Sequence, residues 1–368
     1  MSSMPIKDIA LSFVPRLGTR AAAHLLECFG SAEAIYSASA EELLERAELR
    51  EDVARSIVQG TGMREAEREA AYCLRHGIEV IASTDERYPT LLRDIDDYPA
   101  VIYLRGNAQA LQQRAVAFVG TRKISSYGQR MCNELVQGFA KCVPDAVVVS
   151  GLAYGVDSAC HRAALQHGAT TVGVIANALP QITPSAHQHL AEDMIARGGA
   201  VITELSSQTK QNGRYYITRN RIIAAISAGT VVVESAESGG SLSTAAFADG
   251  YNRTVMALPG RATDINSRGC NLLIRNRKAQ AILSGEDIAR EMMWDMGLDH
   301  IDTPIKEPMP LTHEEERLIA LFDSEPIGID TLLVRSGLSA GELSLQLMTL
   351  ELSGAIRQLP GKQYEKLI

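Results

Sequence analysis

DAVVVSGLAYGVDSACHRAAL, residues 145–165, changes its periodicity at Gly151. Before it, Val147, Val148 and Val149 are consecutive β-branched residues, the composition of a strand buried on both faces. After it, Gly151 and Gly155 bracket a turn, and VDSACHRAALQHG continues with helical periodicity. The pattern recurs. AVAFVG (115–120), AVVVSG (146–151), TTVGVIA (170–176), AVITE (200–204), TVVVE (230–234) and TVMALPG (254–260) are strand candidates, and helical stretches such as YGQRMCNELVQGFAKC and NRIIAAISAG lie between them. Apolar strands alternating with helices require a parallel sheet covered on both faces. The expected class is α/β, with an extended Rossmann-like core over residues 81–295.

Two smaller regions flank this core. Residues 1–80 read as short helices in a SAM-like or helix-hairpin-helix-like arrangement, with a turn at Leu17-Gly18 and Ser39 as an N-cap. A Leu-Gly turn between helices can bind DNA phosphates, but it also serves ordinary helical packing. A Pro-rich linker is expected at 296–310, followed over 311–368 by three helices and a short hairpin, the plan of a winged-helix-like domain. Its third helix carries Glu342 and Glu351 and no Lys or Arg, a poor composition for reading a major groove.

The 368 residues include six scattered cysteines with no CxxC pair, which fits reduced thiols in a cytoplasmic protein better than a disulfide framework or a zinc site. No apolar run approaches the ~20 residues that span a bilayer, and MSSMPIKDIALSF lacks the form of a signal peptide, so no membrane partner is expected. The net charge of −8 is unevenly spread. Residues 98–133 contain five basic residues and no acid, residues 205–233 contain four and no acid, and residues 253–278 contain six against the single acid Asp264. An acidic chain with a basic middle is suited to an anionic partner.

Four strand ends carry glycine-bearing or polar loops: VGTRKISSYG, SGLAYGVDSACH, ESAESGGSLSTAAFA and LPGRATDINSRGCNLL. Parallel sheets bind ligands at such ends, where helix N-termini and bare backbone amides favour anions. No GxGxxG follows the first strand and no GxxxxGK[ST] occurs, so dinucleotide and ATP cofactors are not indicated. In GRYYITRNRIIAAIS (213–227), Arg219 and Arg221 flank Asn220 at a helix start, where guanidinium groups suit phosphates. Tyr215 and Tyr216 offer rings on which an unpaired base can stack. The alternative is that these arginines pair with acids such as Glu204 or Glu234 while the tyrosines fill the core.

Asp157 and His161 share a helix face, but an adjacent Cys160–His161 dyad would point ~100° apart, so an Asp157 that caps or orients the helix and a hydrogen-bonded His161 are expected instead of catalytic groups. His187 and His189 lack a third ligand nearby, so no metal site is expected. Trp294 reads as a packing anchor.

Taken in order, VGTRKISSYG, SGLAYGVDSACH, the ITEL strand end, RNRII, ESAESGGSLSTA and ALPG closely resemble the DprA/Smf family, the DNA processing protein A of bacterial natural transformation. The resemblance spans the whole chain. It implies a non-catalytic protein that binds and protects single-stranded DNA, helps load the RecA recombinase onto it, and forms a homodimer through the Rossmann domain. It also implies phosphate contacts from Arg122, Gly151, Arg219 and Arg221, with Lys123 and Asn220 beside them. Tyr216 stands where the family generally has Phe, as a base-contacting ring, and Ser238, Gly239, Gly240 and Ser241 form a loop facing the same groove. The family's Lys three residues before that aromatic is Gly213 here, and Lys210 or Arg214 is expected to supply the charge. Further departures are Cys160 for Ala, NALPQITP for a glycine-rich turn ending in Tyr-Pro, and Arg277-Lys278-Ala279 for Gly-Ala. The competing reading is a Rossmann enzyme that cleaves a nucleotide N-glycosidic bond. ESGGSLSTAAF would be its glycine loop and Glu234 or Glu237 its base, although Leu242 and Ser243 break that loop pattern.

Overall fold

The computed structural model describes residues 4–294, 312–322, 325–353, 355–359 and 361–367; the expected linker at 296–310 lies outside them. The chain divides into two compact units, Met1–Gly297 and Leu298–Ile368.

Six helices open the first unit: α1 (Ile6–Leu11), α2 (Thr19–Phe29), α3 (Ala32–Ser37), α4 (Ala40–Ala47), α5 (Glu51–Val58) and α6 (Met63–Arg75). Ser39 caps α4 in a reciprocal capping box with Glu42, as the sequence predicts. Two antiparallel strands missed by the pattern reading follow, β1 (Glu79–Ala82) and β2 (Val101–Gly106), with the short α7 (Thr90–Arg93) between them. The alternating core then runs β3 (Ala115–Val119), α8 (Ser126–Cys142), β4 (Val147–Ser150), α9 (Val156–Gln166), β5 (Thr170–Val174), α10 (Gln188–Ala196), β6 (Ala200–Thr203) and α11 (Tyr215–Ala225). It continues through β7 (Gly229–Val232), α12 (Ser241–Gly250), β8 (Thr254–Ala257), α13 (Arg268–Arg275), β9 (Gln280–Ala281) and α14 (Gly285–Glu291).

The strands form one sheet in the order β1-β2-β6-β5-β4-β3-β7-β8-β9. From β6 to β9 all neighbours are parallel, and β2 joins β6 antiparallel. From β3 the chain winds outward through β4, β5 and β6, then returns to lay β7 on the opposite side of β3. The reversal between β3 and β7 is the place where such sheets open a crevice for ligands.

Pleating sends alternate residues to opposite faces. Val116 and Phe118 of β3 join a core with Leu135, Phe139 and Cys160 from α8 and α9. Ala117 and Val119 face a second core with Ile222 and Ile223 of α11 and Ala245 of α12. Leu25 and Ile35 from the N-terminal helices belong to that second core, so the helical region of residues 1–80 shares its interior with the sheet. Trp294 packs as an anchor, its ring 6.3 Å from Phe139, and Phe139 lies 6.2 Å from Phe118.

The second unit holds α15 (His313–Ile319), β10 (Ile327–Gly328), α16 (Ile329–Ser336), α17 (Ala340–Leu352), β11 (Ile356–Leu359) and β12 (Gln363–Lys366). Three helices and a three-stranded sheet in the order β10-β12-β11 make a winged helix around Leu332, Leu343 and Leu347.

Phe139→Ala removes a fully buried ring at the junction of three elements and is expected to lower the unfolding free energy by about 3–5 kcal/mol, measured by denaturant titration of the first unit's transition.

Candidate nucleic-acid interface

Three strand ends converge at the reversal. The loop after β3 carries Gly120, Thr121, Arg122 and Lys123. It is pinned by Thr121 N–H donating to the Glu234 carbonyl at 2.7 Å and Lys123 N–H donating to Thr121 Oγ1 at 3.1 Å. The loop after β4 turns on Leu152 and Gly155, both at positive φ (56° and 81°). A side chain at Gly155 would strike the backbone of Thr121 and Arg122, so only glycine lets the two loops lie against each other. The loop after β7 runs through Ser238 and Gly239 into α12, where Ser241 Oγ donates to Ser235 Oγ at 2.9 Å.

These loops and the start of α11 enclose a cavity of about 300 Å³, lined by Gly120, Thr121, Arg122, Ala153, Asp157, Tyr216, Arg219, Asn220, Gly239, Gly240 and Ser241 among others. Arg122 is exposed, and its guanidinium stands 4.8 Å over the centroid of the Tyr216 ring. Such a cation–ring pair presents positive charge and an aromatic face together. Asn220 ties α11 to the glycine loop through Ser243 Oγ at 3.0 Å and the Gly240 carbonyl at 3.3 Å.

Arg219 and Arg221 are placed differently from expectation. Arg219 is 5% exposed and forms the floor of the cavity, where its Nη1 donates to the carbonyls of Gly151 and Val174. Burial lowers the pKa of its guanidinium and raises that of Asp157, and each is partly countered by the other's charge. A Cβ on Gly151 would collide with that guanidinium and with the Asp157 carboxylate. Gly151 therefore makes room for Arg219, and its carbonyl accepts from that guanidinium.

Arg221 leaves the rim altogether. Its side chain is 3% exposed, paired with Glu204 and, at 3.5 Å, with Asp97. Asp97 in turn accepts from Tyr251 Oη at 3.1 Å. The expectation of a phosphate contact from Arg221 is corrected by this network: the guanidinium is occupied by carboxylates in the interior.

Lys123, Lys210, Arg214 and Ser238 are exposed. Lys210 and Arg214 lie on the segment joining β6 to α11. Glu69 of α6, 1% exposed, holds the start of that segment by accepting from Ser207 N–H at 2.7 Å and Ser207 Oγ at 2.6 Å. Tyr154 (52% exposed) and Ile217 (59% exposed), on the β4–α9 loop and on α11, were not singled out from the sequence. The cue was present, since a large apolar residue sits within each glycine- or arginine-rich motif. Tyr154 rests edge-on against His187 at 4.9 Å, and His187 is itself fixed by Nδ1 at 2.8 Å from the Leu152 carbonyl.

His161 is buried, 2.7 Å through Nδ1 from Thr171 Oγ1, and Asp157 accepts from Ala153 N–H at 3.3 Å, the structural roles expected of both. Cys160 is buried and its thiol is pushed well above its ordinary range, chiefly by desolvation. Glu234 points away from the glycine loop and accepts from Ser125 N–H at 2.9 Å and from Ser125 Oγ, at the start of α8. No cluster of three or more His, Cys, Asp or Glu able to hold a metal occurs among the described residues. No helix among them is long and apolar enough to cross a membrane.

Residues 79–293 match the family model of DNA recombination-mediator protein A. The chain belongs to that family. Residues 303–362 match the DprA winged helix domain. Protein Smf of Escherichia coli (strain K12) is 32% identical over 287 residues, covering 77% of this chain and 76% of that protein. The X-ray structure of DNA processing protein A from Streptococcus pneumoniae superposes with a TM-score of 0.68 at 28% identity, over 79% of this chain and 99% of that one. A structure of DNA processing protein A from Helicobacter pylori, described for its single-stranded DNA binding mode, matches with a TM-score of 0.53 at 25% identity, over 60% of this chain and 97% of that one.

Two predictions follow from the buried groups. Arg221→Ala leaves Glu204 uncompensated in the interior and is expected to cost about 3–5 kcal/mol in chemical denaturation. Burial lowers the His161 pKa from 6.5 to about 3. The folded state resists a proton that the unfolded chain accepts, so His161's contribution is complete above pH 6.5 and is lost as pH falls from there toward 3. Unfolding free energies measured across that window should decline, and His161→Gln should flatten the decline.

Proposed function

We propose that this chain binds single-stranded DNA along the rim formed by the β3, β4 and β7 loops and the β6–α11 segment. In this reading it protects the strand and helps load RecA onto it during natural transformation, acts in the cytoplasm as a homodimer formed through the Rossmann domain, and performs no catalysis. The observation that carries the binding reading is the Arg122 guanidinium over the Tyr216 ring at the mouth of the switch-point cavity. A guanidinium stacked on a ring puts a partner for a phosphate next to an aromatic partner for its unpaired base. Lys123, Lys210 and Arg214, all exposed, add positive charge on the loop and the segment beside it. Arg219, Gly151 and Asn220 act from below, setting the height of α11 and of the glycine loop. The role in transformation and the RecA partnership rest on family membership. Against the N-glycosidase reading, Glu234 has both carboxylate oxygens engaged by Ser125.

Mobility shift of oligo-dT at two salt concentrations tests this. Four neutralised phosphates on a single strand correspond to a roughly fiftyfold loss of affinity between about 50 and 200 mM salt. Arg122→Glu, at an exposed position, is expected to weaken binding at least tenfold with no change in melting temperature. Salt-independent binding, or full affinity in that variant, would refute the rim.

A further inference from the structure

A second cavity, of about 130 Å³, opens on the same rim above β5 and β6. Its walls come from three places: Tyr72 of α6, the β5–α10 turn with Asn177, Ala178 and Thr183, and the β6–α11 segment with Ser207, Gln211 and Tyr215. No Asp, Glu, Lys, Arg or His lines it, in contrast to the Arg122 cavity. Two tyrosines and several neutral hydrogen-bonding groups suit a planar, uncharged heterocycle and give a phosphate no counter-charge.

The charge lies at its edge. Lys210 is adjacent in sequence to the lining residue Gln211, and Arg214 precedes the lining residue Tyr215; both are exposed. The two cavities also meet on one helix, since Tyr215 lines this one and Tyr216 lines the other. Consecutive residues on a helix point ~100° apart, so the α11 start presents one ring to each side. The walls are held independently of any ligand: Asn177 Nδ2 donates to the carbonyls of Ala178 at 3.1 Å and Gln181 at 2.7 Å, and Glu69 anchors Ser207.

We infer that this neutral cavity between Tyr72 and Tyr215 is a subsite for one unstacked base of the bound strand, with the adjoining phosphate on Lys210 or Arg214. The inference rests on the single-strand reading above and adds a second base position to it.

The test titrates the full chain into short oligo-dT carrying one 2-aminopurine, moved position by position, with the unlabelled oligonucleotide run in parallel. With the native chain, one internal position should change fluorescence on binding beyond the Tyr216 position. Thr183→Tyr and Ala178→Leu, both of which fill the cavity, should abolish that signal and weaken binding about tenfold, at the lower end of what one stacked base supplies. Both fillings lie on the β5–α10 turn, so Gln211→Trp, from the facing β6–α11 segment, is run beside them, and agreement among the three excludes a local defect of that turn as the cause. Filled variants that bind and fluoresce like the native chain would overturn the subsite alone. A native chain that binds no oligonucleotide would overturn both the subsite and the reading beneath it. Free 2-aminopurine riboside is expected not to displace the oligonucleotide signal. Its saturable binding at the same cavity, with no effect of the fillings on oligonucleotide affinity, would make this a small-molecule site and overturn the proposal.

Discussion

The Arg219 guanidinium is the pin between helix α11 and the sheet. It reaches the carbonyls of Gly151 and Val174, at the ends of β4 and β5, and it does so with Asp157 beside it. A charge at this depth is tolerable only with close partners. Gly151 must lack a side chain for the group to fit, and α11 is held at a fixed height above the strand ends. Tyr216 then stands where Arg122 can cover it, and Asn220 stands where it can hold the glycine loop. The outward-facing chemistry of the rim is organised from an inward-facing charge.

Arg221, two residues further on, does comparable work sideways. Its carboxylate partners come from the end of β6 and from the turn before β2, and Tyr251, just after α12, joins through Asp97. Within the RNR motif Arg221 is therefore tied to interior carboxylates, while Arg219 and Asn220 line the cavity. Of the basic residues expected at the site, Arg122, Lys123, Lys210 and Arg214 are the exposed ones.

The central strands were legible because β-branched runs buried on both faces leave a dense signal, and each predicted strand from AVAFVG to TVMALPG is present within one to three residues at its ends. Gly120 and Gly151, two of the residues trimmed from those ends, lie in the loops around the cavity. β1, β2 and β9 were not legible: β1 has four residues, β9 has two, and β2 leads into a glycine without helical repeats on both sides. In the site, the glycine loops and the Arg122–Tyr216 neighbourhood could be read from motif order. The fates of Arg219 and Arg221 could not, because a motif reports residue type and not depth. Glu204 is among the acids the sequence offers as a partner, whereas Asp97 lies more than a hundred positions away in sequence and becomes a neighbour only through the fold.

Glu69 gives the N-terminal helices a stake in the rim. A carboxylate that is 1% exposed, and that takes both the N–H and the hydroxyl of Ser207, joins α6 to the segment bearing Lys210 and Arg214. Occupancy of that segment and docking of α6 are consequently linked equilibria. Whatever tightens one resists release of the other, so a strand bound as proposed would also steady the helix whose Tyr72 lines the second cavity.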